Sequence, residues 1–379
     1  MKKKSSLSQP EQRAVTFPQH AFLTAHLDIK KMEELLPDLP KYRTKQIYRW
    51  ILKGSGSFDS MTDIPQELKD ELKTRFNIFS GKIVSCHESG TAGKIVIECF
   101  DGSKIESVLL KDSKDRYTAC ISSQAGCPCG CVFCMTGTLG FRRNLEYAEI
   151  AEQYLHLLNI CKGKPDTQKI NSGGNTGKNQ NEHIIDNIVI MGMGEPLLNL
   201  DNLRKSIEIF TDPNGLNISK RRITVSTCGI SSSLFDIAEN GPFIKLALSL
   251  TTADEKLRAL LMPVTEFNPL AKLKEALMLF QKNGGGRITL EIPLLAGINT
   301  REKDASSIRS FANGLSVIIN IIPWNPVAGI EFNGAPLREP DKRETAEFIR
   351  MLENLNMNVT MRLHKGRSVM GACGQLGMR

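Results

Sequence analysis

The chain has 379 residues, 49 Lys and Arg against 41 Asp and Glu for a formal charge of +8, 41% hydrophobic residues and ten cysteines. That apolar fraction excludes a disordered chain, and the length suffices to bury a large core. No run approaches the ~18 consecutive apolar residues of a spanning helix, and no apolar signal core follows the lysines of MKKKSSLSQPEQ, so a cytoplasmic protein without a membrane partner is expected. Reducing conditions there argue against a disulfide framework. Five cysteines, Cys120, Cys127, Cys129, Cys131 and Cys134, crowd one segment and point to metal or redox chemistry.

Residues 1–50 hold ten Lys/Arg and five Asp/Glu, and residues 1–27 read as a basic, flexible N-terminus. Lys220, Arg221 and Arg222 form a second basic knot, and Arg362, Lys365, Arg367 and Arg379 follow without an acid. A solvated face explains any one cluster; several together make nucleic acid a plausible partner. Residues 28–80 read as a small helical domain. Leu35, Leu36, Tyr42, Ile47, Trp50, Ile51 and Leu52 recur at helical spacing, and Met61, Ile64, Leu68, Leu72 and Phe76 do so after the break at Gly54 to Gly56. Residues 81–112 read as a linking β-hairpin, IVIECF and IESVLL about the turn Asp101-Gly102.

From 113 to 357 the runs TACISS, IVIMGMG, ITVSTCG, IKLALSL, ITLEIPLL and VIINIIPW alternate with helical segments such as Tyr147 to Ile160. Repeated βα units imply an α/β fold with a parallel sheet and a site at the carboxyl ends of its strands, and six units fall short of the eight that close a full barrel. The polar stretch 161–182 reads as a flexible insertion without chemistry, and 358–379 as a final strand and tail.

After the first of these strands comes CPCGCVFC. Cys127, Cys131 and Cys134 have C-x3-C-x2-C spacing and can hold three corners of a 4Fe-4S cluster, leaving one iron for substrate. A structural zinc site competes, but it wants four closed ligands, and no second knuckle or His pair follows. Cys129 confuses the count. A C-x-C pair crowds two ligands, so Cys129 is read as a bystander and Cys86, Cys99, Cys161 and Cys228 as packing residues.

This spacing, with aromatic Phe133 before the last thiolate and a partial βα barrel, resembles the radical S-adenosylmethionine (SAM) superfamily, whose fold is a partial (β/α)6 barrel. Gly194 and Glu195 in MGMGEPLLN resemble its element for the SAM amino group. Ser226, the run Ser249, Leu250 and Thr251, and Asn325 fall at its other SAM-contacting strand ends, Thr251 standing where the family often has His. More closely, CISSQAGC, FCMTGTLGF, MGMGEPLLN, VSTCGI and GACGQL resemble the adenine-methylating RlmN family and its relative Cfr. Pro196 and Phe141 look more like the former.

The resemblance implies methylation of C2 of adenosine 2503 in 23S ribosomal RNA and, in some members, of adenosine 37 in tRNA, with Cfr-like C8 methylation as the alternative. C2 is electron-poor and cannot attack a sulfonium methyl, so the implied route is radical. It uses a 4Fe-4S cluster, two SAM molecules and an electron donor such as a flavodoxin or ferredoxin system, and the chain is expected to act as a monomer. Cys373 matches the methyl-carrying cysteine and Cys120 the cysteine that resolves the adduct, leaving a disulfide. Glu106 matches the family's proton acceptor. An activase-like radical SAM enzyme would have no need for Cys373, and a zinc-stapled RNA-binding module would have no catalysis.

Overall fold

The computed structural model describes residues 22–163, 184–361 and 366–377. The expected insertion therefore lies almost wholly outside the described residues, as do Arg362, Lys365 and Arg379.

Three short helices follow Phe22: α1 (Ile29–Leu35), α2 (Lys41–Leu52) and α3 (Gln66–Arg75). Asp28 caps α1, its carboxylate accepting from the amide of Lys30. Pro40 and Pro65 stand just before α2 and α3. Pro65 accounts for a departure from the sequence reading. Met61 and Ile64 keep helical spacing with Leu68 and Leu72, yet the helix begins only at Gln66, because proline has no amide to give a preceding turn. Met61 and Ile64 are buried all the same, and exposed Tyr42 is the flagged residue that leaves the core. The segment Leu23–His26, expected to be flexible, is a buried 3-10 turn held by backbone bonds from Leu23 and Thr24 to Asn77 and Ile78.

One ten-stranded sheet organises the rest. It starts with three antiparallel strands, β1 (Lys82–Ser89), β2 (Ala92–Glu98) and β3 (Lys104–Lys111). The expected linking hairpin is β2 and β3. The additional β1, KIVSCHES, is largely exposed and carries no apolar run by which to read it. β3 pairs antiparallel with β4 (Tyr117–Ile121), so these strands extend the main sheet instead of bridging two bodies. From β4 the sheet runs parallel through β7 (Asn187–Ile190), β8 (Ile223–Thr227), β9 (Lys245–Ser249), β10 (Ile288–Leu294) and β11 (Val317–Pro323). These are the six runs read from the sequence, and they make the open (β/α)6 barrel. A further parallel strand, β14 (Val359–Met361), adds to β11 at the far edge. Two short ribbons, β5 (Gln124–Gly126) with β6 (Phe141–Asn144) and β12 (Glu331–Phe332) with β13 (Ala335–Pro336), complete the strands.

Helix Tyr147–Lys162 is buried along nearly its whole length because the sheet covers one side, and helix Leu200–Thr211 and the turn Leu23–His26 cover the rest. It takes up Cys161 and Lys162, which the sequence reading assigned to the insertion. Its buried Glu152 pins the two layers. The carboxylate accepts from the Thr24 hydroxyl, the Ser80 amide and hydroxyl (2.8 and 2.9 Å) and the Gly81 amide (2.6 Å), and His156 lies 3.3 Å away. Burial raises the Glu152 pKa, but hydrogen bonds from His156, Thr24 and Ser80 outweigh it and hold the carboxyl below its ordinary value.

Replacing Glu152 with Gln turns an amide toward these donors and is expected to destabilise the chain by about 2–4 kcal/mol in urea unfolding at neutral pH. Because the folded carboxyl titrates below the unfolded one, its contribution is present above the usual carboxylate pKa of about 4.3 and is lost as pH falls through the folded value. The gap between wild type and Glu152→Gln should therefore narrow in acid.

Candidate active site

The cysteine loop, 127–140, is gripped at its base by the ribbon of β5 and β6, with Gln124 opposite Asn144 and Ala125 opposite Arg143. The grip is tight enough to require glycine. Gly126 has φ +79°, a Cβ there would meet the Gly140 carbonyl at 1.9 Å, and the Cys127 amide donates to that same carbonyl at 3.0 Å. Within the loop Cys134 donates its amide to Cys131 (3.2 Å), and Val132 donates to Leu261 of helix Glu255–Leu261 (3.0 Å). Cys127, Cys131 and Cys134 are half-buried, whereas Cys129 is buried with its Sγ 3.4 Å from that of Cys228.

Burial, and after it the charge of neighbouring thiols, pushes the Cys131 thiol well above its ordinary value. Burial does the same at Cys134, with Cys127 adding to it. Thiols that each make the others costlier to ionise suit a cationic iron-sulfur core, which offsets all of them at once, so this donor set fits a 4Fe-4S cluster. A different set, Cys129, Glu195 and Cys228, brings its ligand atoms within 4.8 Å of one another. Its carboxylate, however, is already engaged by the Thr227 hydroxyl (2.6 Å) and the amides of Cys228 and Leu197 (2.7 and 2.9 Å).

The residues expected to hold SAM come to the carboxyl ends of the parallel strands. Gly194 has φ +99°, and a Cβ there would fall 2.5–2.8 Å from Gln124, whose side chain accepts from the Glu195 amide at 2.8 Å. Glu195 is a scaffold as well as a candidate ligand. It ties the end of β7 to the end of β8, and burial raises its carboxyl above the usual value despite the hydrogen bonds it receives. The Ser226 hydroxyl lies 3.2 Å from that of Ser249 and donates to buried Glu291 of β10 at 2.8 Å. Leu250 and Thr251 are fully buried. Thr251 has φ +64°, costly for a β-branched residue, and its buried hydroxyl has no hydrogen-bond partner among the described residues. An orphaned hydroxyl at a strand end fits a site completed by a polar cofactor. Asn325 turns elsewhere, its amide donating to the Cys373 carbonyl at 3.0 Å.

Cys373 lies on a tail that crosses the barrel mouth. Met135 donates its amide to Gly374 (2.8 Å), Thr136 its hydroxyl to Leu376 (2.8 Å), and Gln375 its side-chain amide to Pro326 (3.1 Å). At its end the Gly377 amide donates to Glu106 Oε2 at 2.9 Å. In the sheet below, Val108 is in register with Lys94 on one side and Cys120 on the other, so these three share a face with Glu106 two residues along β3. A Cβ on Gly371 would lie 3.2 Å from Val108, which brings the tail onto that face. All ten cysteines are thiols, so the disulfide implied for Cys120 and Cys373 is not formed here.

Lys94, missed in the sequence, donates from Nζ to Glu106 Oε1 at 3.2 Å, both side chains being buried. Only the β2–β3 register shows this pairing; in the sequence it is one lysine among many. Two substitutions test the assembly. Gly194→Ala is expected to cost about 2–4 kcal/mol in thermal unfolding and to weaken SAM binding in calorimetry, since both the space and the positive φ are denied. Lys94→Met leaves the Glu106 charge buried and should cost about 3–5 kcal/mol in urea, whereas Lys94→Arg should cost clearly less.

The description "Radical SAM superfamily" matches residues 121–306, and "Ribosomal RNA large subunit methyltransferase N-terminal domain" matches 25–78. The chain is 44% identical over 339 residues to the probable dual-specificity RNA methyltransferase RlmN of Treponema denticola, covering 89% of this chain and 90% of that one. It is 41% identical to that of Treponema pallidum strain Nichols, covering 89% and 92%. Among solved structures, a radical SAM methyltransferase from Sphaerobacter thermophilus superposes with a TM-score of 0.81 at 31% identity, covering 94% of this chain and 99% of that one. With its barrel, its cysteine loop and its N-terminal helices all matched in these relatives, the chain belongs to the RlmN family of radical SAM enzymes, which use a 4Fe-4S cluster and SAM.

Proposed function

We propose that the chain transfers a methyl group from SAM to C2 of adenosine 2503 in 23S ribosomal RNA and of adenosine 37 in tRNA, by way of Cys373. The observation that carries this reading is the tail: Cys373 is anchored through its own carbonyl by Asn325, on the face of the sheet that bears Cys120 and Glu106. An enzyme without a methyl-carrying cysteine would have no use for that arrangement. Cys127, Cys131 and Cys134 hold the cluster, while Gly194, Glu195, Ser226, Ser249, Leu250 and Thr251 form the walls of the SAM site. Asn325 belongs to this set through the tail it holds. The cluster and SAM, when bound, supply the one-electron chemistry that makes a methyl hydrogen removable.

The chain's own groups do the rest. Cys373 presents the carbon on sulfur, and Glu106 or Cys120 takes the C2 proton; Cys120, as the thiolate, then attacks the Cys373 sulfur, an S–S bond replacing its S–C bond, while the released methylene carbon keeps the bonding pair and takes up that proton to become the methyl group. The two sulfurs are left as a transient disulfide for an external thiol to reduce. Lys94 holds the Glu106 carboxylate in place through their ion pair. Helix α2, with Lys41, Arg43, Lys45 and Arg49 and no acid, grips folded RNA through its phosphates. The enzyme acts as a monomer in the cytoplasm, its electron coming from a flavodoxin or ferredoxin system.

Cys120→Ala protein carrying the methyl group should trap RNA covalently on denaturing gels, while Cys373→Ala traps none. Equal trapping by both, or an active Cys120→Ser enzyme, removes both cysteines from these roles. Ala at Cys127, Cys131 or Cys134 should abolish bound iron, and Cys129→Ala should keep it. Nucleoside mass analysis of the product should find 2-methyladenosine; 8-methyladenosine would assign the Cfr-like reaction instead.

A further inference from the structure

Arg258, in helix Glu255–Leu261, is completely buried. Its Nε donates to the Leu250 carbonyl (3.0 Å), its Nη1 to the Thr265 hydroxyl (2.7 Å), and its Nη2 to the carbonyls of Cys228 and Ser249 (2.5 and 3.2 Å). None of these acceptors is charged, and Arg258 forms no ion pair within 4.0 Å among the described residues. Glu255 on the same helix is exposed and spends its carboxylate on the Leu270 amide (2.9 Å). A guanidinium buried without an acid is unusual, because carbonyl dipoles replace only part of the hydration it gives up.

The cysteine loop supplies the missing charge. It rests on the end of this helix through the bond from Val132 to Leu261, and Gly130 faces Pro263 of the turn that follows, at 3.9 Å from an added Cβ. Cys228, whose carbonyl Arg258 holds, meets Cys129 of the loop thiol to thiol. Burial weighs against the charge on Arg258, and Cys228, then Cys131, Glu255 and Cys129 favour it. A 4Fe-4S core on three thiolates is net anionic, and one unit more so after reduction. We infer that Arg258 is the counter-charge of the cluster: it stabilises the reduced state over the oxidised one while clamping the ends of β8 and β9 that carry Ser226 and Ser249. The inference rests on Cys127, Cys131 and Cys134 as the ligands. Arg258 is thus a positioning residue that acts through the cluster rather than on substrate.

The test uses the full chain, purified anaerobically, with iron and sulfide content and a redox titration followed by electron paramagnetic resonance. Arg258→Gln that retains iron should be harder to reduce. At the wild-type midpoint its ratio of reduced to oxidised cluster should fall about tenfold or more, an attraction of this order being what a low-dielectric site gives. Arg258→Lys keeps the charge and should stay near wild type. Thr265→Asp leaves Arg258 in place, offers its Nη1 a carboxylate, and should lower the ratio in the same direction. An iron-replete Arg258→Gln or Thr265→Asp with an unmoved midpoint overturns the inference. So does loss of iron in both that Arg258→Lys shares, which would make the residue a scaffold only. Wild type without iron and sulfide would instead overturn the ligand reading beneath it.

Discussion

The site depends on a buried carboxylate holding a chain terminus. Glu106 accepts from Lys94 with one oxygen and from the Gly377 amide with the other, so a single ion pair in the sheet fixes the end of the tail that carries Cys373. Neither partner is expendable, because each would be an uncompensated charge without the other. Further hydrogen bonds tether Cys373, Gly374, Gln375 and Leu376 to the cysteine loop and to the residues just past β11. The tail also has apolar anchors in the core, Val369 and Leu376. Its small residues Gly371, Ala372 and Gly374 let backbone lie close to the sheet.

That arrangement explains why antiparallel strands precede a parallel barrel. A βα barrel offers only the carboxyl ends of its strands, and the groups proposed for proton and sulfur chemistry must approach from the side. By running β3 against β4, the chain sets Glu106 and Lys94 beside Cys120 at a register where all three face one way. A slip of one residue in that pairing would turn Glu106 and Val108 away from Cys120 while leaving the barrel intact. The register is secured nearby, where the Ser122 hydroxyl donates to the Glu106 carbonyl at 2.7 Å and accepts from the Met193 amide at 2.8 Å.

The barrel strands were legible because a strand covered on both faces writes itself as a continuous apolar run, and the cysteine loop because its spacing is local. What escaped was non-local or polar. β1 has one face in water and no apolar run to betray it. Met61 and Ile64 matched a helical period that Pro65 forbids. Lys94, Arg258 and Glu291 are ordinary charged residues in the sequence and are distinguished only by burial, which pairing partners far along the chain create. Asn325 stands just past the end of β11, but no pattern could say that its amide would turn to the tail.

The helix Tyr147–Lys162 joins the N-terminal helices to the sheet through two consecutive residues. Glu152 binds Thr24, Ser80 and Gly81 of the N-terminal module. Gln153 accepts from the Ser107 hydroxyl at 2.7 Å and the Ser122 amide at 2.8 Å, and donates to the Ser122 carbonyl at 2.9 Å. Ser107 adjoins Glu106 in β3, and Ser122 lies two residues past Cys120. Neighbouring positions on a helix point about 100° apart, so the two side chains reach opposite layers from one rigid turn. On the proposal that the N-terminal helices hold the RNA, its base is referred, through a single buried turn, to the strands that carry Glu106 and Cys120. This bears on specificity. Chemistry at an unreactive ring carbon tolerates little error in position, and a helix buried on all sides fixes that distance better than a linker could.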